Sequence, residues 1–180
     1  MFDTTSSNLY GEQRSIFHNL ENVGEYELAT ISFGQRFKIT PLQLITAVSS
    51  IANKGVLMKP NIIKEIKDPG TGSITEIKPQ EVRQVISKET AETLMGMTEY
   101  VVTDGTGSRA KVAGYSVGGK SGTTEPLEKN VDSGYIASFV GLAPTVNTQV
   151  VVLVILYNPN GPNGHQGGQV ARSCGFENIK

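Results

Sequence analysis

The spacing of apolar and polar positions predicts a first helix in the stretch TPLQLITAVSSIANKG. Apolar side chains recur there every three or four residues, which is the spacing of one face of a helix. Thr40 is the predicted N-cap, with Pro41 at the first helical position and Gln43 completing a capping box. Gly55 is predicted to end the helix, because glycine readily takes the left-handed conformation found at helix ends.

The same spacing returns in SKETAETLMGMTEYVVTDG and predicts a second helix. Ser87 is its predicted N-cap, and Glu89 places a negative charge in the first turn, where the helix dipole favours it. The predicted buried face of this helix consists of Ala91, Leu94, Thr98 and Val101.

Shorter apolar runs predict strands in the rest of the chain. Ile62, Ile66 and Ile74 lie on either side of the turn sequence DPGTG, which predicts a β-hairpin. Three strand-like segments follow the second helix: KVAGYSVGGKSGTT, GYIASFVGLAP and QVVVLVILYNP. The third is apolar almost throughout and is therefore predicted to be buried on both faces. Short links between the three predict an antiparallel meander.

The two ends of the chain carry weaker patterns. Residues 1–30 are polar and predict a loop-rich start, and residues 158–168 predict a loop. The last stretch, GGQVARSCGFENIK, predicts a closing helix that packs on the sheet. The order helix, hairpin, helix, three strands and helix predicts the α+β class, with residues 1–180 forming a single domain.

Composition excludes several classes of protein. The 180 residues carry a net charge of -1 and include 38% hydrophobic and 18% charged residues, which is typical of a globular protein without a basic surface for nucleic acid. The apolar runs are too short to span a membrane, and an export signal would have to lie outside this chain. Cys174 is the only cysteine, and His18 and His165 are far apart in sequence, so neither a disulfide nor a metal site is predicted.

The stretch VGGKSGTTEP admits three interpretations. With the residues before it, it gives GYSVGGKS, which fits the phosphate-loop pattern letter for letter. A phosphate loop must lead into a helix, however, and Gly122, Thr123, Thr124 and Pro126 prevent a helix from beginning cleanly after Lys120. A glycine-rich turn at the end of a strand is the second interpretation.

The third interpretation is a strand that forms one wall of an active site. Alternation places Lys120 and Gly122 on one face, where the ammonium group supplies positive charge and the glycine lets a substrate lie against the backbone. The backbone N–H of Thr123 can then point at a developing oxyanion, and the hydroxyls of Ser121 and Thr123 can bind a carboxylate. These are the properties of the Lys-[Thr/Ser]-Gly motif of serine acyl-transferases that act on penicillin-like substrates.

Five separated stretches match one protein family in order. They are LATISFGQ, ITPLQLITAVSSIANKG with LMKP, GTGSRAKVAGYSVGGKSGTTE, YIASFVGLAP and HQGGQVA, and the resemblance covers roughly residues 25–171. In these stretches the chain resembles the C-terminal part of the transpeptidase domain of class B penicillin-binding proteins, and most of all their sporulation-specific members. Five ordered matches are far more specific than any single motif.

The resemblance implies a fold, an activity and a set of site residues. The expected fold is a partial penicilloyl-serine transferase fold, an antiparallel sheet flanked by helices. The expected activity is the cross-linking of peptidoglycan stem peptides on the extracytoplasmic side of the membrane, by a membrane-anchored parent protein that also binds β-lactam antibiotics. Neither a metal nor an organic cofactor is expected. By resemblance Lys120 is the catalytic residue of this chain, and Ser121, Gly122 and Thr123 are substrate-binding.

The chain departs from the family pattern at its other motifs. SRAK, from Ser108 to Lys111, fits the nucleophile motif Ser-x-x-Lys but follows the second helix instead of starting one. Ser6 to Asn8 fits Ser-x-Asn but lies much closer to SFGQ than the family usually has it. Arg36 stands where the family has glycine, RSCGF replaces an apolar helix start, and His165 is interpreted as a loop or packing residue. The nucleophile is therefore expected upstream of this chain.

Three hypotheses follow from these observations. The first is a fragment of a D,D-transpeptidase that carries half of the site and does not acylate alone. The second is a non-catalytic module that binds β-lactam or peptide, or serves as a scaffold. The third, nucleotide binding, rests on the phosphate-loop spacing alone. Without the upstream helices the sheet would expose apolar faces, so self-association as a dimer or domain-swapped form is also predicted.

Overall fold

The computed structural model describes residues 4–5, 7, 10–17, 19–35, 37–124, 135–159 and 170. The chain forms two compact units. The first unit comprises Met1–Ala47 and Leu57–Arg83, and the second comprises Val48–Val56 and Gln84–Lys180. That residues 1–180 act as a single domain stays a prediction.

The described residues contain three α-helices and seven strands. The helices are α1 (Glu25–Ser32), α2 (Pro41–Ala52) and α3 (Lys88–Thr103), and 3₁₀ turns occupy Leu20–Asn22 and Ser108–Ala110. The strands are β1 (Val56–Met58), β2 (Glu65–Lys67), β3 (Ile74–Glu76), β4 (Glu81–Gln84), β5 (Gly118–Thr124), β6 (Ile136–Ala143) and β7 (Val150–Tyr157). None of the described helices combines the length and apolar character needed to cross a membrane.

Helix α2 begins and ends as its sequence predicts. The N–H of Thr40 donates to Gln43 Oε1 at 2.9 Å, and the N–H of Gln43 donates to Thr40 Oγ1 at 3.2 Å, which completes the capping box. Pro41 is the first helical residue. Gly55 has φ +85°, and a Cβ there would collide with the carbonyl of Ile86. Only glycine satisfies both conditions, so the predicted stop is confirmed.

The predicted hairpin forms, although its isoleucines do not build a core. Strands β2 and β3 pair antiparallel, with Ile66 opposite Thr75. The DPGTG turn is stabilised by Asp68 Oδ1, which accepts the N–H of Gly70 at 2.7 Å. Ile66 and Ile74 are 54% and 59% exposed. Turn chemistry therefore stabilises this hairpin more than burial does.

The sequence analysis does not predict three short elements, α1, β1 and β4. Helix α1 lies partly within residues 1–30, so the prediction of a loop-rich start is wrong for its last residues. It has no buried residue and therefore no apolar stripe to reveal it, and its cap is the bond from the N–H of Gly24 to Glu27 Oε2 at 3.2 Å. Strands β1 and β4 form a two-stranded sheet of three and four residues, too short to show a period of two.

Helix α3 has the predicted cap and a slightly rotated buried face. Ser87 Oγ accepts the N–H of Thr90 at 3.2 Å. Glu89 lies in the first turn, where its own backbone N–H and the Ser87 hydroxyl lower its pKa. The buried residues are Ala91, Met95 and Val102. The predicted face is wrong in detail, because Leu94, Thr98 and Val101 are half-buried and flank this stripe.

Strands β5, β6 and β7 form the predicted antiparallel meander, in that spatial order. The central strand β6 is the most buried, and Phe139 and Ala137 are fully inaccessible. The prediction that β7 is buried on both faces is wrong. Its first six residues are half-buried and its last two exposed, because it lies at the edge of the described sheet. One hydrophobic cluster combines Val102, Ala110, Val117, Ala137, Phe139, Ala143 and Val170.

Helices and antiparallel sheets together give the α+β class predicted from sequence. The predicted loop at 158–168 and the predicted closing helix at 167–180 lie almost wholly outside the described residues. Val170 is the described part of that helix, and it is helical and 1% exposed.

Candidate functional site

The four predicted site residues lie consecutively in β5, at one edge of the described three-stranded sheet. Opposite them in β6 stand Val140, Phe139, Ser138 and Ala137, in register with Lys120, Ser121, Gly122 and Thr123. Strand β5 starts in the core, where Gly118 and Gly119 are buried, and becomes exposed toward Thr124. The core therefore fixes the beginning of the strand, while the residues that carry the chemistry reach solvent.

Lys120 is exposed, and its ammonium group lies over its own strand. Nζ donates to the backbone carbonyl of Ser121 at 2.7 Å. An ammonium group has three donors, so this bond leaves capacity for an anionic ligand. The bond also draws the positive charge along β5 toward Ser121.

The Ser121 side chain is half-buried and hydrogen-bonded to a residue outside the strand. Its Oγ lies 3.0 Å from Oγ1 of Thr106, which belongs to the linker between α3 and β5. Either hydroxyl can be the donor of this bond. Sequence reasoning missed Thr106, and the only signal for it was its position between two glycines in GTG.

Gly122 occupies a position with little room for a side chain. A Cβ there would lie 2.7 Å from Oγ of Ser138, the residue opposite in β6. That hydroxyl also makes a long bond of 3.5 Å to the carbonyl of Gly122. Ser138 was missed as well, because only the strand register reveals its position.

Thr123 lies in the exposed outer half of β5, opposite Ala137. Its predicted roles in binding an oxyanion and a carboxylate stay predictions. Glu125 and Pro126, the last two residues of VGGKSGTTEP, lie outside the described residues.

The phosphate-loop interpretation fails in the structure. Lys120 and Ser121 lie in the middle of a strand that continues to Thr124, where a phosphate loop needs the start of a helix. The residue that matches the first glycine of the pattern, Gly114, lies in a turn and has φ +84°.

The Ser-x-x-Lys match lies in a 3₁₀ turn after α3. The turn spans Ser108–Ala110, and the N–H of Lys111 donates to the carbonyl of Ser108 at 3.2 Å. Ser108 and Lys111 are both exposed. A single 3₁₀ turn does not provide the helix start that the nucleophile motif of this family uses.

The remaining predicted positions are only partly described. Ser6, Asn8, His18, Arg36, His165 and Cys174 lie outside the described residues. Ser7 is described, and its Oγ donates to Glu12 Oε2 at 2.8 Å. Burial raises the pKa of Glu12, but hydrogen bonds from Thr5 and Ser7 outweigh it and lower the pKa overall. Among the residues that the structure describes, no cluster of three His, Cys, Asp or Glu side chains can hold a metal ion.

Comparison with known proteins decides the family. The family model described as penicillin binding protein transpeptidase domain matches residues 2–176. The chain belongs to this family. Stage V sporulation protein D of Bacillus subtilis is 42% identical over 160 residues, which cover 87% of this chain and 25% of that protein. Penicillin-binding protein PbpB of Mycobacterium tuberculosis is 31% identical, over 97% of this chain and 27% of that protein.

Solved structures of the family share the fold. Penicillin-binding protein 3 of Mycobacterium tuberculosis, complexed with aztreonam, superimposes with a TM-score of 0.86 at 31% identity, covering 99% of this chain and 42% of that one. The transpeptidase domain of penicillin-binding protein 3 from Burkholderia pseudomallei gives 0.78 at 33% identity, covering 97% and 51%. The predicted penicilloyl-serine transferase fold is therefore confirmed. The chain spans about a quarter of the length of the curated relatives named above.

Proposed function

We propose that this chain supplies the lysine–serine–glycine wall of the active site of a class B penicillin-binding protein, which cross-links peptidoglycan stem peptides as a D,D-transpeptidase. The observation that carries the proposal is Lys120 Nζ, which is exposed at the sheet edge and bonded to the Ser121 carbonyl at 2.7 Å. This bond places a positive charge next to a residue whose hydroxyl can bind a carboxylate. Membership of the transpeptidase family supports the same assignment.

The reaction requires a serine nucleophile, which we place upstream in the full-length protein. Its oxygen attacks the penultimate D-Ala carbonyl and forms the acyl–oxygen bond, while the C–N bond breaks and the proton of the serine passes to the nitrogen of the released D-Ala. An amine of a neighbouring stem peptide then attacks the acyl carbon, the acyl–oxygen bond breaks, and a proton from the amine restores the serine hydroxyl. A β-lactam carbonyl meets the same nucleophile, but its leaving nitrogen stays attached to the acyl group.

In this scheme the residues of β5 stabilise the negative charges of the substrate carboxylate and of the developing oxyanion. Lys120 provides positive potential near the nucleophile and the substrate carboxylate. The hydroxyls of Ser121 and Thr123 hold that carboxylate, and the N–H of Thr123 stabilises the oxyanion. Gly122 lets the substrate lie against the strand. Because β5 is an edge of the described sheet, a substrate along that edge meets side chains from both faces.

The parent protein is proposed to act on the extracytoplasmic side of the membrane, where peptidoglycan is cross-linked, and to be membrane-anchored. The 42% identity to stage V sporulation protein D supports a role in sporulation. Its proposed ligands are stem peptides and β-lactam antibiotics. Penicillin-binding protein 3 of M. tuberculosis has been crystallised with aztreonam and with ampicillin, which supports β-lactam binding by relatives of this chain.

A non-catalytic binding or scaffold module is the alternative. The observation that favours it is the position of the chain's Ser-x-x-Lys match in an exposed 3₁₀ turn, away from any helix start. Such a module would bind β-lactam or peptide on the β5 wall and form no covalent bond.

Covalent labelling with a fluorescent penicillin, followed by denaturing electrophoresis, tests the proposal. We expect a labelled band from the natural full-length protein and none from the 180-residue chain alone. A full-length protein that binds the probe reversibly but forms no band would support the alternative. A band from the 180-residue chain that disappears in Ser108→Ala would make Ser108 the nucleophile and contradict the proposal.

Self-association of the chain stays a prediction, which exposed apolar side chains of the first unit support. Ile62, Ile66, Ile74 and Val82 of the first unit are each more than half exposed. Apolar surface of this kind favours association when it is contiguous. We expect light scattering on the 180-residue chain to give a mass above that of a monomer as concentration rises. A monomeric mass at every concentration would contradict the prediction.

A further inference from the structure

The Thr106–Ser121 hydrogen bond links the proposed carboxylate site to a residue with no assigned role. The two hydroxyl oxygens are 3.0 Å apart and belong to residues fifteen positions apart in sequence. Thr106 is exposed and Ser121 is half-buried, so the pair lies at the boundary between core and solvent. The bond is therefore accessible to a ligand at the edge of β5.

Packing holds Thr106 in place independently of this bond. A Cβ at Gly105 would lie 2.8 Å from both the Cα and the carbonyl oxygen of Val101, in the last turns of α3. A Cβ at Gly107 would lie 3.0 Å from the ring of Phe139. The N–H of Gly107 also donates to the carbonyl of Val101 at 2.9 Å. Gly105 thus packs against the backbone of α3 and Gly107 against the buried ring of Phe139, so the side chain of Thr106 is presented from a fixed backbone.

The ring of Phe139 connects this linker to the strand. Phe139 is 0% exposed and stands opposite Ser121 in the β5–β6 register, so the two side chains share a face. The same ring approaches the positions of Gly107 and Gly119. One buried side chain therefore packs against the residue that follows Thr106 and against the residue two positions before Ser121.

A bound carboxylate determines which of the two hydroxyls donates in the Thr106–Ser121 hydrogen bond. An ionised carboxylate only accepts hydrogen bonds, so Ser121 must donate its single proton to it. The Ser121 oxygen then has lone pairs left, and the hydroxyl 3.0 Å away can donate to it. The result is a chain from Thr106 through Ser121 to the carboxylate, in which each bond polarises the next.

We propose that Thr106 is a positioning residue that orients the Ser121 hydroxyl toward the carboxylate of the substrate and so favours anionic over neutral ligands. This role rests on the proposed function of the β5 wall. Thr106 acts through Ser121 and is not assigned a contact with the reacting atoms. The role differs from simple stabilisation, because it acts on ligands that bear a carboxylate and leaves others nearly unaffected.

The test compares acylation of the full-length protein by benzylpenicillin and by its neutral methyl ester. Thr106→Val keeps the shape of the side chain and removes its hydroxyl. We expect this variant to lower the second-order rate of acylation by benzylpenicillin about tenfold, the upper end of the scale of one hydrogen bond between uncharged groups, and by the ester at most about twofold. Thr106→Ser is expected to restore most of the loss.

Two controls separate positioning from general damage. Thr93→Val removes another exposed hydroxyl, whose Oγ1 donates to the carbonyl of Glu89 within α3, and is expected to change neither rate. In a Ser121→Ala background, Thr106→Val is expected to have no further effect on the preference for the acid, because its partner hydroxyl is gone.

Each outcome decides the proposal. Equal losses with acid and ester, or no loss with either, would overturn the role of Thr106 while leaving the β5 wall in place. A Thr106→Ser variant as slow as Thr106→Val would overturn it as well. A full-length wild-type protein that is acylated by neither compound would overturn the proposed function, and the role of Thr106 with it.

Discussion

The β2–β3 and β5–β6 pairs are both antiparallel, but different interactions stabilise them. The β2–β3 hairpin is exposed at every strand residue, and Asp68 ties its turn by accepting backbone N–H groups from Gly70 and Thr71. The β5–β6 pair has a core strand, β6, in which six of eight positions are buried and Phe139 is fully inaccessible. The turn therefore stabilises the β2–β3 pair, and packing in the core stabilises the β5–β6 pair.

This difference determines which pair can carry a site. A pair without a buried face opens locally at low free energy, whereas a strand packed on the core keeps its geometry. The β5 residues Lys120 to Thr123 are presented to solvent from a strand whose first two residues are buried. The proposed site therefore combines exposed chemistry with a rigid support, as a binding site that must not rearrange requires.

The largest expected difference between the two pairs concerns their apolar side chains. Phe139→Ala is expected to lower the free energy of unfolding by about 3 to 5 kcal/mol, because it removes a fully buried ring. Ile66→Ala in β2 is expected to change it by no more than about 0.5 kcal/mol, since that side chain is 54% exposed. Urea unfolding of the chain measures both. Similar losses for the two variants would remove the contrast between the pairs.

One glycine from each pair, Gly119 in β5 and Gly72 in the β2–β3 turn, provides a second and smaller difference in stability. A Cβ at Gly119 would collide with the Phe139 ring and the Val140 carbonyl, whereas at Gly72 the obstacle is φ +72° and nothing lies within 4 Å. Gly119→Ala is expected to cost about 1 to 3 kcal/mol by overpacking, and Gly72→Ala about 1 kcal/mol by backbone strain.

Asparagine distinguishes the two causes, because it tolerates the left-handed conformation but still carries a Cβ. Gly72→Asn is therefore expected to recover much of the stability lost in Gly72→Ala, and Gly119→Asn to recover none of that lost in Gly119→Ala. Unfolding midpoints in urea compare the four variants. Recovery at Gly119 would show that the strand can move away from Phe139.

The sequence predicted the elements whose signals are local. The capping box of Thr40 and Gln43, the cap at Ser87 and the DPGTG turn each need only a few adjacent residues, and all three are present. The lysine–serine–glycine stretch could be located in the same way. The buried stripe of α3 was rotated in the prediction, because which side of a helix meets the core depends on its partners.

What the sequence did not predict depends on pairing between distant residues. The apolar run of β7 predicted a strand buried on both faces, but β7 is half-buried and the most buried strand is β6, which lies between two neighbours. Thr106 and Ser138 approach β5 from another segment and from the opposite strand, so no local pattern marks them. Strand register and packing determine such contacts, and neither can be recognised from local patterns in a single sequence.

The smallest expected effect concerns the Asp68 turn and its dependence on pH. The backbone N–H of Gly70, with further bonds from Thr71, holds the pKa of Asp68 below its ordinary value of 3.8. A depressed folded-state pKa means that the stabilising effect is complete above the ordinary value and is lost as the pH falls through the folded-state pKa. We expect the Gly70 amide resonance to titrate below pH 3.8. Titration at or above that value would contradict the role of the turn, and Asp68→Ala, the control, should abolish it.

The central claim is that the charge of Lys120 on β5 serves acyl transfer, and the acylation rate of the full-length protein tests it most directly. Lys120→Ala is compared with Lys111→Ala, which removes an exposed lysine of the linker before β5. We expect the first variant to slow acylation by a fluorescent penicillin by roughly a hundredfold, or about 2.7 kcal/mol, because the Lys120 charge stabilises the negative charge that develops in the transition state. The second is expected to leave the rate unchanged. Equal rates for Lys120→Ala and wild type would contradict the account.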